Sequence, residues 1–127
     1  MEKLLKSLVA IEEACAEAFN KNAVNRILEY FDTDISGFSS TTHDRFQGKD
    51  ELRKTFEYYL AEADNSTYEI MEPEIMQFGD IAVLSFYWKV KLERGGKVKE
   101  VPGRGTHVYR RSGDEWKIVH EHFSRSH

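Results

Sequence analysis

The chain has 127 residues, of which 40% are hydrophobic and 31% charged, and its formal net charge is -4 at neutral pH. A chain of this length builds one domain around a single core, so we expect one domain over residues 1–127. The composition is that of a soluble globular protein and excludes a disordered or membrane-spanning chain. The negative net charge argues against a nucleic-acid-binding protein.

Cysteine content and the N-terminal sequence bear on the cellular compartment. Cys15 is the only cysteine, so no disulfide can form within the chain, as expected in a reducing compartment. The first ten residues mix charged side chains with leucines and lack the continuous apolar stretch of a secretory signal. We therefore expect a cytoplasmic protein that contacts no membrane and requires no cofactor.

Three helices are predicted in the first half of the chain. Apolar residues recur at three- and four-residue spacing over residues 4–19, which is typical of an amphipathic helix, and the acidic residues, Glu12 among them, are placed off this stripe. Asn22 is expected to cap a short second helix. A short strand over 35–40 leads to a third helix, predicted over about 50–63.

The second half of the chain reads as strands. Four long segments (67–77, 81–92, 97–110 and 116–124) are separated by turns that contain glycine. Pro73 interrupts the first of them, which indicates an edge strand or a bulge. The order of elements predicts an α+β domain in which the three N-terminal helices cover one face of a curved antiparallel sheet. Such a sheet forms a cone, and the inside of a cone is a pocket for a small molecule.

The face of the sheet away from the helices is predicted to bind a second copy of the chain. Strict alternation places four residues of the last strand on this outer face: Trp116, Ile118, His120 and His122. Aromatic side chains on a face without helices indicate a partner surface, so we expect a homodimer, with a higher ring as an alternative. His120 and His122 have a spacing that two metal ligands can use, but hydrogen bonding at the dimer interface is the preferred interpretation, and no metal site is predicted.

The C-terminal hairpin carries a family resemblance. Its segments are Thr106-His-Val-Tyr-Arg-Arg, Gly113 and Trp116-Lys-Ile-Val-His-Glu-His-Phe-Ser124. Through them the chain resembles SnoaL-like domains of the nuclear transport factor 2-like superfamily, and within it the calcium/calmodulin-dependent kinase II association domain and its stand-alone bacterial relatives. The resemblance implies the cone-shaped, cystatin-like fold. That fold hosts ketosteroid isomerases, polyketide cyclases, dehydratases and non-enzymatic assembly domains, so it does not settle the function.

Glu121 and His107 are the candidate catalytic residues. The resemblance assigns Glu121 to the interior of the cone, where an apolar surrounding raises the pKa of a carboxyl group into a range useful for proton transfer. The alternative is a structural ion pair between Glu121 and a lysine or arginine. His107, on the neighbouring strand, either shares the acid and base roles with Glu121 or forms a hydrogen bond in the core.

The remaining candidates are ligand-binding residues. Arg104 lies between two glycines that permit close approach of the backbone, and it is a candidate for meeting an anionic ligand. The candidates for lining the pocket are aromatic: Tyr30, Phe56, Tyr59, Tyr87, Tyr109 and Phe123. Three functions stay open: a homodimeric small-molecule-binding domain, an isomerase or cyclase-lyase type of enzyme with Glu121 as general acid or base, and a stand-alone assembly module.

Overall fold

The computed structural model describes residues 2–126, which form three helices and six strands. The helices are α1 (Glu2–Asn20), α2 (Val24–Leu28) and α3 (Gly48–Ala61), and the strands are β1 (Phe31–Phe38), β2 (Phe46–Gln47), β3 (Asn65–Phe78), β4 (Ile81–Arg94), β5 (Lys97–Ser112) and β6 (Glu115–Arg125). The predicted order of elements and the α+β class are confirmed. The third helix begins and ends two residues earlier than the sequence predicted.

The six strands form one sheet in the order β2-β1-β6-β5-β4-β3. The strands β3 to β6 pair as consecutive antiparallel neighbours, whereas β1 pairs with β6 in parallel. Pro73 lies in a bulge between Met71 and Glu74 on the edge strand β3. An edge position tolerates proline, which lacks the N–H that a central strand would need.

The helices pack on one face of this curved sheet and enclose the core with it. Leu8 of α1 and Leu52 of α3 are fully buried, as are Leu84 of β4 and Tyr109 of β5. This face is called the inner face below, and the opposite face, which no helix of residues 2–126 covers, the outer face. Within the same residues, no helix is long and apolar enough to span a membrane.

A β-bulge in β6 corrects the predicted faces of that strand. Tyr109 pairs with Ile118 while the preceding Val108 pairs with His120, so Val119 is an extra residue without a partner on β5. An extra residue reverses the alternation of side chains along a strand. Ile118 is therefore fully buried on the inner face, and the expectation that it shares the outer face with His120 was wrong. The same holds for Trp116, which lies beside α1.

Asn22 ends α1 and does not cap α2. It has a positive φ of 58°, and the N-cap position of α2 is Ala23, without a side-chain cap. The N–H of Ala23 donates to the carbonyl of Ala18 at 2.8 Å and the N–H of Asn22 donates to that of Phe19 at 3.0 Å. These two bonds form a Schellman motif, in which a residue such as asparagine takes the left-handed conformation just after the helix.

Candidate functional site

A buried Glu–His–Glu cluster joins α1 to the sheet. His107 of β5 lies between Glu121, its cross-strand partner on β6, and Glu12 of α1. The distance from His107 Nδ1 to Glu12 Oε2 is 2.5 Å, and from His107 Nε2 to Glu121 Oε1 it is 2.7 Å. The hydroxyl of Tyr109 donates a second hydrogen bond to Glu12 Oε2 at 2.6 Å. Glu12, His107 and Glu121 are named the Glu–His–Glu cluster below.

The cluster is withdrawn from water and holds a charged histidine. Glu12, His107 and Glu121 are 1%, 3% and 4% exposed, respectively. Burial by itself lowers the pKa of His107, but the charge of Glu12 and the hydrogen bonds to both carboxylates outweigh it and raise this pKa to about 10. His107 is thus an imidazolium at neutral pH, and it donates one N–H to each carboxylate.

An interior cavity opens beside the cluster, between the helices and the inner face. Its volume is about 60 Å³. All three residues of the Glu–His–Glu cluster line it. Much of the remaining wall is aromatic, from Phe19, Phe31, Phe56, Tyr59, Tyr68, Trp88 and Phe123. Ser39, Ser40 and Thr55 add hydroxyl groups.

Some polar atoms at the cavity have no partner within the protein. Glu12 Oε1 and Glu121 Oε2 form no hydrogen bond with any of residues 2–126. The indole Nε1 of Trp88 is buried and also lacks a hydrogen-bond partner among them. Buried polar groups are nearly always paired, so the two carboxylate oxygens are among the groups of the wall that can contact a ligand.

Five of the predicted site residues lie at the cavity, and three of these are aromatic candidates. Glu121 and His107 contact each other, and Phe56 and Tyr59 line the cavity from α3. Phe123 also lines it, two residues beyond Glu121 on the same side of β6. The interior position of Glu121 follows from the bulge, since Ile118 and Glu121 face the same side although they lie three residues apart.

Tyr109 is close to the cluster but is not part of the cavity wall. Its side chain is fully buried, and its hydroxyl donates to Glu12. Burial, assisted by the charge of Glu12, raises the pKa of Tyr109 well above its usual value, so the hydroxyl keeps its proton. Tyr109 therefore holds the carboxylate of Glu12 in place from outside the cavity.

The other predicted ligand-binding residues lie away from the cavity. Tyr87 is 50% exposed on the outer face, where it lines a separate shallow groove together with Arg104. Tyr30 is near the end of α2 and contributes to a surface depression with Trp116. The expectation that Tyr30 and Tyr87 line the interior pocket is corrected. Alternation along β4 and β5 turns Tyr87 and Arg104 to the side opposite Trp88 and His107.

The glycines beside Arg104 serve the core. A Cβ at Gly103 would lie 2.1 Å from Cζ2 of Trp88, and a Cβ at Gly105 would lie 2.8 Å from the rings of Phe86 and Phe123. The missing side chains thus make room for aromatic rings on the inner face. The expectation that these glycines allow a ligand to approach is replaced by this packing role.

Glu12 was missed as a site residue and supplies the second interior carboxylate. Its position is four residues after Leu8 and three before Cys15, which puts it on the buried stripe of α1. This spacing was the available signal. Burial, reinforced by Glu12 and Glu121, also raises the pKa of the Cys15 thiol well above its usual value, so Cys15 is a core residue without the reactivity of a thiolate.

The geometry of the cluster does not suit a metal ion. Glu12 and Glu121 bind opposite nitrogens of one imidazole ring, so their oxygens do not converge on a common point. No group of three or more histidine, cysteine, aspartate or glutamate side chains within residues 2–126 is arranged to hold a metal.

Known proteins match the chain over nearly its whole length. The sequence profile of the SnoaL-like domain matches residues 9–126, whereas no curated protein sequence matches the chain. A nuclear transport factor 2-like superfamily protein from Salmonella enterica superposes with a TM-score of 0.85 at 17% identity, over 99% of this chain and 93% of that one.

Two further solved structures carry names that describe a function. A Xanthomonas campestris protein, provisionally named a calcium/calmodulin-dependent protein kinase II association domain, gives a TM-score of 0.82 at 18% identity, over 94% of this chain and 86% of that one. A Parabacteroides distasonis protein, provisionally named a ketosteroid isomerase, gives 0.69 at 26% identity, over 96% and 87%. The resemblance found in the sequence is confirmed: the chain belongs to the SnoaL-like domain family and has the nuclear transport factor 2-like fold.

Proposed function

We propose that the protein binds a small organic molecule in the interior cavity and that the Glu–His–Glu cluster recognises its polar group. The observation that carries this proposal is the pair of buried carboxylates, Glu12 and Glu121, each with one oxygen that has no partner among residues 2–126. Burying ionic groups costs free energy, and apolar side chains would stabilise the same space as well or better. Such groups beside a cavity are typical of a functional site.

The cavity sets the size of the ligand. A water molecule needs roughly 10–15 Å³ of cavity volume, so a cavity of about 60 Å³ holds about four to six water-sized groups. The ligand is accordingly a compact molecule with an apolar body, which meets the aromatic wall, and at least one hydrogen-bond donor for Glu12 or Glu121.

Native mass spectrometry of the untagged protein tests this proposal, together with NMR titration of a panel of small polar and apolar compounds. We expect either a reproducible bound mass or saturable shifts at residues of the cavity. Cys15→Leu places a larger side chain in the cavity wall and should abolish the binding while the variant stays folded. The proposal would be refuted if no bound mass were found and no compound caused a saturable NMR shift.

Proton-transfer catalysis is the second candidate function, of the isomerase or cyclase-lyase type. Glu121 Oε2 is free of hydrogen bonds within residues 2–126 and faces the cavity, as a general base must. The second interior carboxylate, Glu12, favours this candidate further, and so does the name given to the Parabacteroides distasonis protein. Both N–H groups of His107 are already engaged, so His107 would position Glu121, and Trp88 or Tyr59 would donate to the developing oxyanion.

Glu121→Gln separates catalysis from binding. Once a turned-over substrate is found, this variant should lose turnover because an amide cannot accept the proton, while the fold is retained. Glu115→Gln, an exposed change of the same kind on β6, is the matched control. Unchanged turnover in Glu121→Gln would rule out the role of general base.

The proposed partner is a second copy of the chain, docked on the outer face. A row of paired residues crosses this face: Met76, Val83, Val108 and His120. Met76 is 56% exposed and the nearby Phe78 is 65% exposed, a patch of the kind that binds protein. The same face carries both Glu74 and Arg104, so two copies related by a twofold axis can pair opposite charges. A larger ring, the assembly alternative, would show in the same native mass spectra.

A further inference from the structure

We infer that the ligand of the interior cavity is a small organic cation with at least one N–H donor. This inference rests on the proposed function and adds the charge and the polar groups of the ligand. It is carried by three features of the cavity: its charge, its aromatic wall and its unpaired hydrogen-bonding atoms.

The charge of the wall favours a cation. Two acidic side chains, Glu12 and Glu121, flank a single basic side chain, His107. No lysine or arginine of residues 2–126 lines the cavity. An anionic ligand would meet acidic groups without a lysine or arginine to bind it, whereas a cation would find acidic partners.

The aromatic wall favours a cation as well. Phe31 lies edge-on to the His107 ring, and Phe123 lies 5.3 Å from it, centroid to centroid. Aromatic faces beside a carboxylate are a recurring way to hold ammonium groups, because the ring quadrupole attracts positive charge.

The unpaired atoms specify the polar group of the ligand. The N–H groups of His107 and the O–H group of Tyr109 already donate to the carboxylates. The cluster therefore offers a ligand only acceptors, Glu12 Oε1 and Glu121 Oε2. An ammonium group, which only donates hydrogen bonds, satisfies these acceptors.

The test compares ligands of one shape and different charge. Dimethylethanolamine, which is protonated at neutral pH, and 3-methylbutan-1-ol differ only in that a charged N–H replaces a C–H, and 3-methylbutanoate supplies the anion. We expect the amine to bind at least about tenfold more tightly than the alcohol, as one desolvated cation–π or charged hydrogen bond would give, and the anion to bind weakest. The measurement is NMR titration, in which the indole N–H signal of Trp88 should shift and that of Trp116 should not.

Two variants tie the preference to the carboxylates. Glu121→Gln should remove most of the advantage of the amine and leave the affinity for the alcohol nearly unchanged, and Glu12→Gln offers the same readout if the first variant fails to fold. Glu13→Gln, an exposed change next to Glu12, is the control. Equal or tighter binding of the alcohol or the anion overturns the cation inference but leaves the cavity a binding site. No binding of any of the three also overturns it, whereas the proposed function fails only if the broader panel and native mass spectrometry are negative too.

Discussion

At the scale of the residue, His107 is the centre of the site because both of its nitrogens are held by carboxylates. Its pKa depends on two opposing effects, burial that disfavours the imidazolium and the Glu12 and Glu121 carboxylates that favour it. The carboxylates prevail in the folded state. In the unfolded chain they are solvated and distant, so the histidine returns to a pKa of about 6.5.

This difference makes the stability of the fold depend on pH. A pKa that is raised in the folded state, here to about 10, means that the folded protein binds the proton more tightly than the unfolded chain does. The resulting stabilisation is fully present below about pH 6.5 and is lost as the pH rises through about 10. We expect the free energy of unfolding to fall by several kcal/mol over this range, as measured by urea denaturation with Tyr and Trp fluorescence corrected for pH.

Two histidine variants identify the group responsible. His107→Gln removes the titrating group and should flatten this part of the pH profile, although the variant is less stable overall. His43→Gln changes an exposed histidine and should keep the slope of the parent protein. A slope that persists unchanged in His107→Gln would show that other groups cause it.

Part of this site could be predicted from the sequence. His107 and Glu121 were found because dense polar groups on two adjacent strands of a hairpin stand out, and the hairpin itself makes them neighbours. Glu12 could not be found in the same way, since a glutamate in an amphipathic helix is expected to face water. Its burial depends on His107, which is 95 residues away in the sequence, and periodicity within α1 carries no information about that partner.

At the scale of the element, the hairpin of β4 and β5 is shaped by aromatic rings that pack over glycines. Trp88 lies directly over Gly103, its cross-strand partner, and is 1% exposed. Its ring also stacks on Phe123, with a centroid distance of 5.6 Å and an interplanar angle of 19°. Gly103 therefore determines the position of the Trp88 ring, which forms part of the cavity wall.

Gly103→Ala should destabilise the protein through this contact. The added Cβ would lie 2.1 Å from the Trp88 ring and 2.4 Å from the backbone oxygen of Ser124, and neither the buried ring nor the backbone can move freely. We expect a loss of about 1–3 kcal/mol in the free energy of unfolding, typical of an overpacked core, measured by denaturant unfolding and by the fluorescence spectrum of Trp88. Arg104→Ala, next in sequence and on the outer face, should cost less than about 0.5 kcal/mol. Equal losses in the two variants would contradict the packing role.

The helices and long strands were predictable, but the bulge in β6 and the role of Asn22 were not. Alternation and turn residues placed all four long strands, because each has its own local pattern. The bulge at Val119 left no such signal, since one extra residue in a strand is defined only by its partner strand. Asn22 was ambiguous for a related reason: an asparagine between two helices can end the first or cap the second.

At the scale of the whole molecule, adjacent residues of one strand serve opposite surfaces. His107 points into the cavity, whereas Val108 belongs to the outer row with Val83 and His120. A pleated sheet with helices on one face therefore separates a polar interior site from an apolar exterior patch by the thickness of one strand. The pairing of two copies would cover the outer patch and leave the interior cavity to its ligand.

Val83→Lys tests this pairing without touching the interior. Val83 lies in the middle of the outer row, between Met76 and Val108, so a charge there would have to be buried in the dimer but would be solvated in the monomer. We expect light scattering after size-exclusion chromatography to give the mass of a dimer for the parent protein and of a monomer for Val83→Lys, with an unchanged circular dichroism spectrum. Val98→Lys is the matched control, because Val98 is 60% exposed near the tip of the β4–β5 hairpin and should leave the dimer intact. A monomeric parent protein, or a Val83→Lys dimer as stable as that of the parent, would exclude the outer face as the site of self-association.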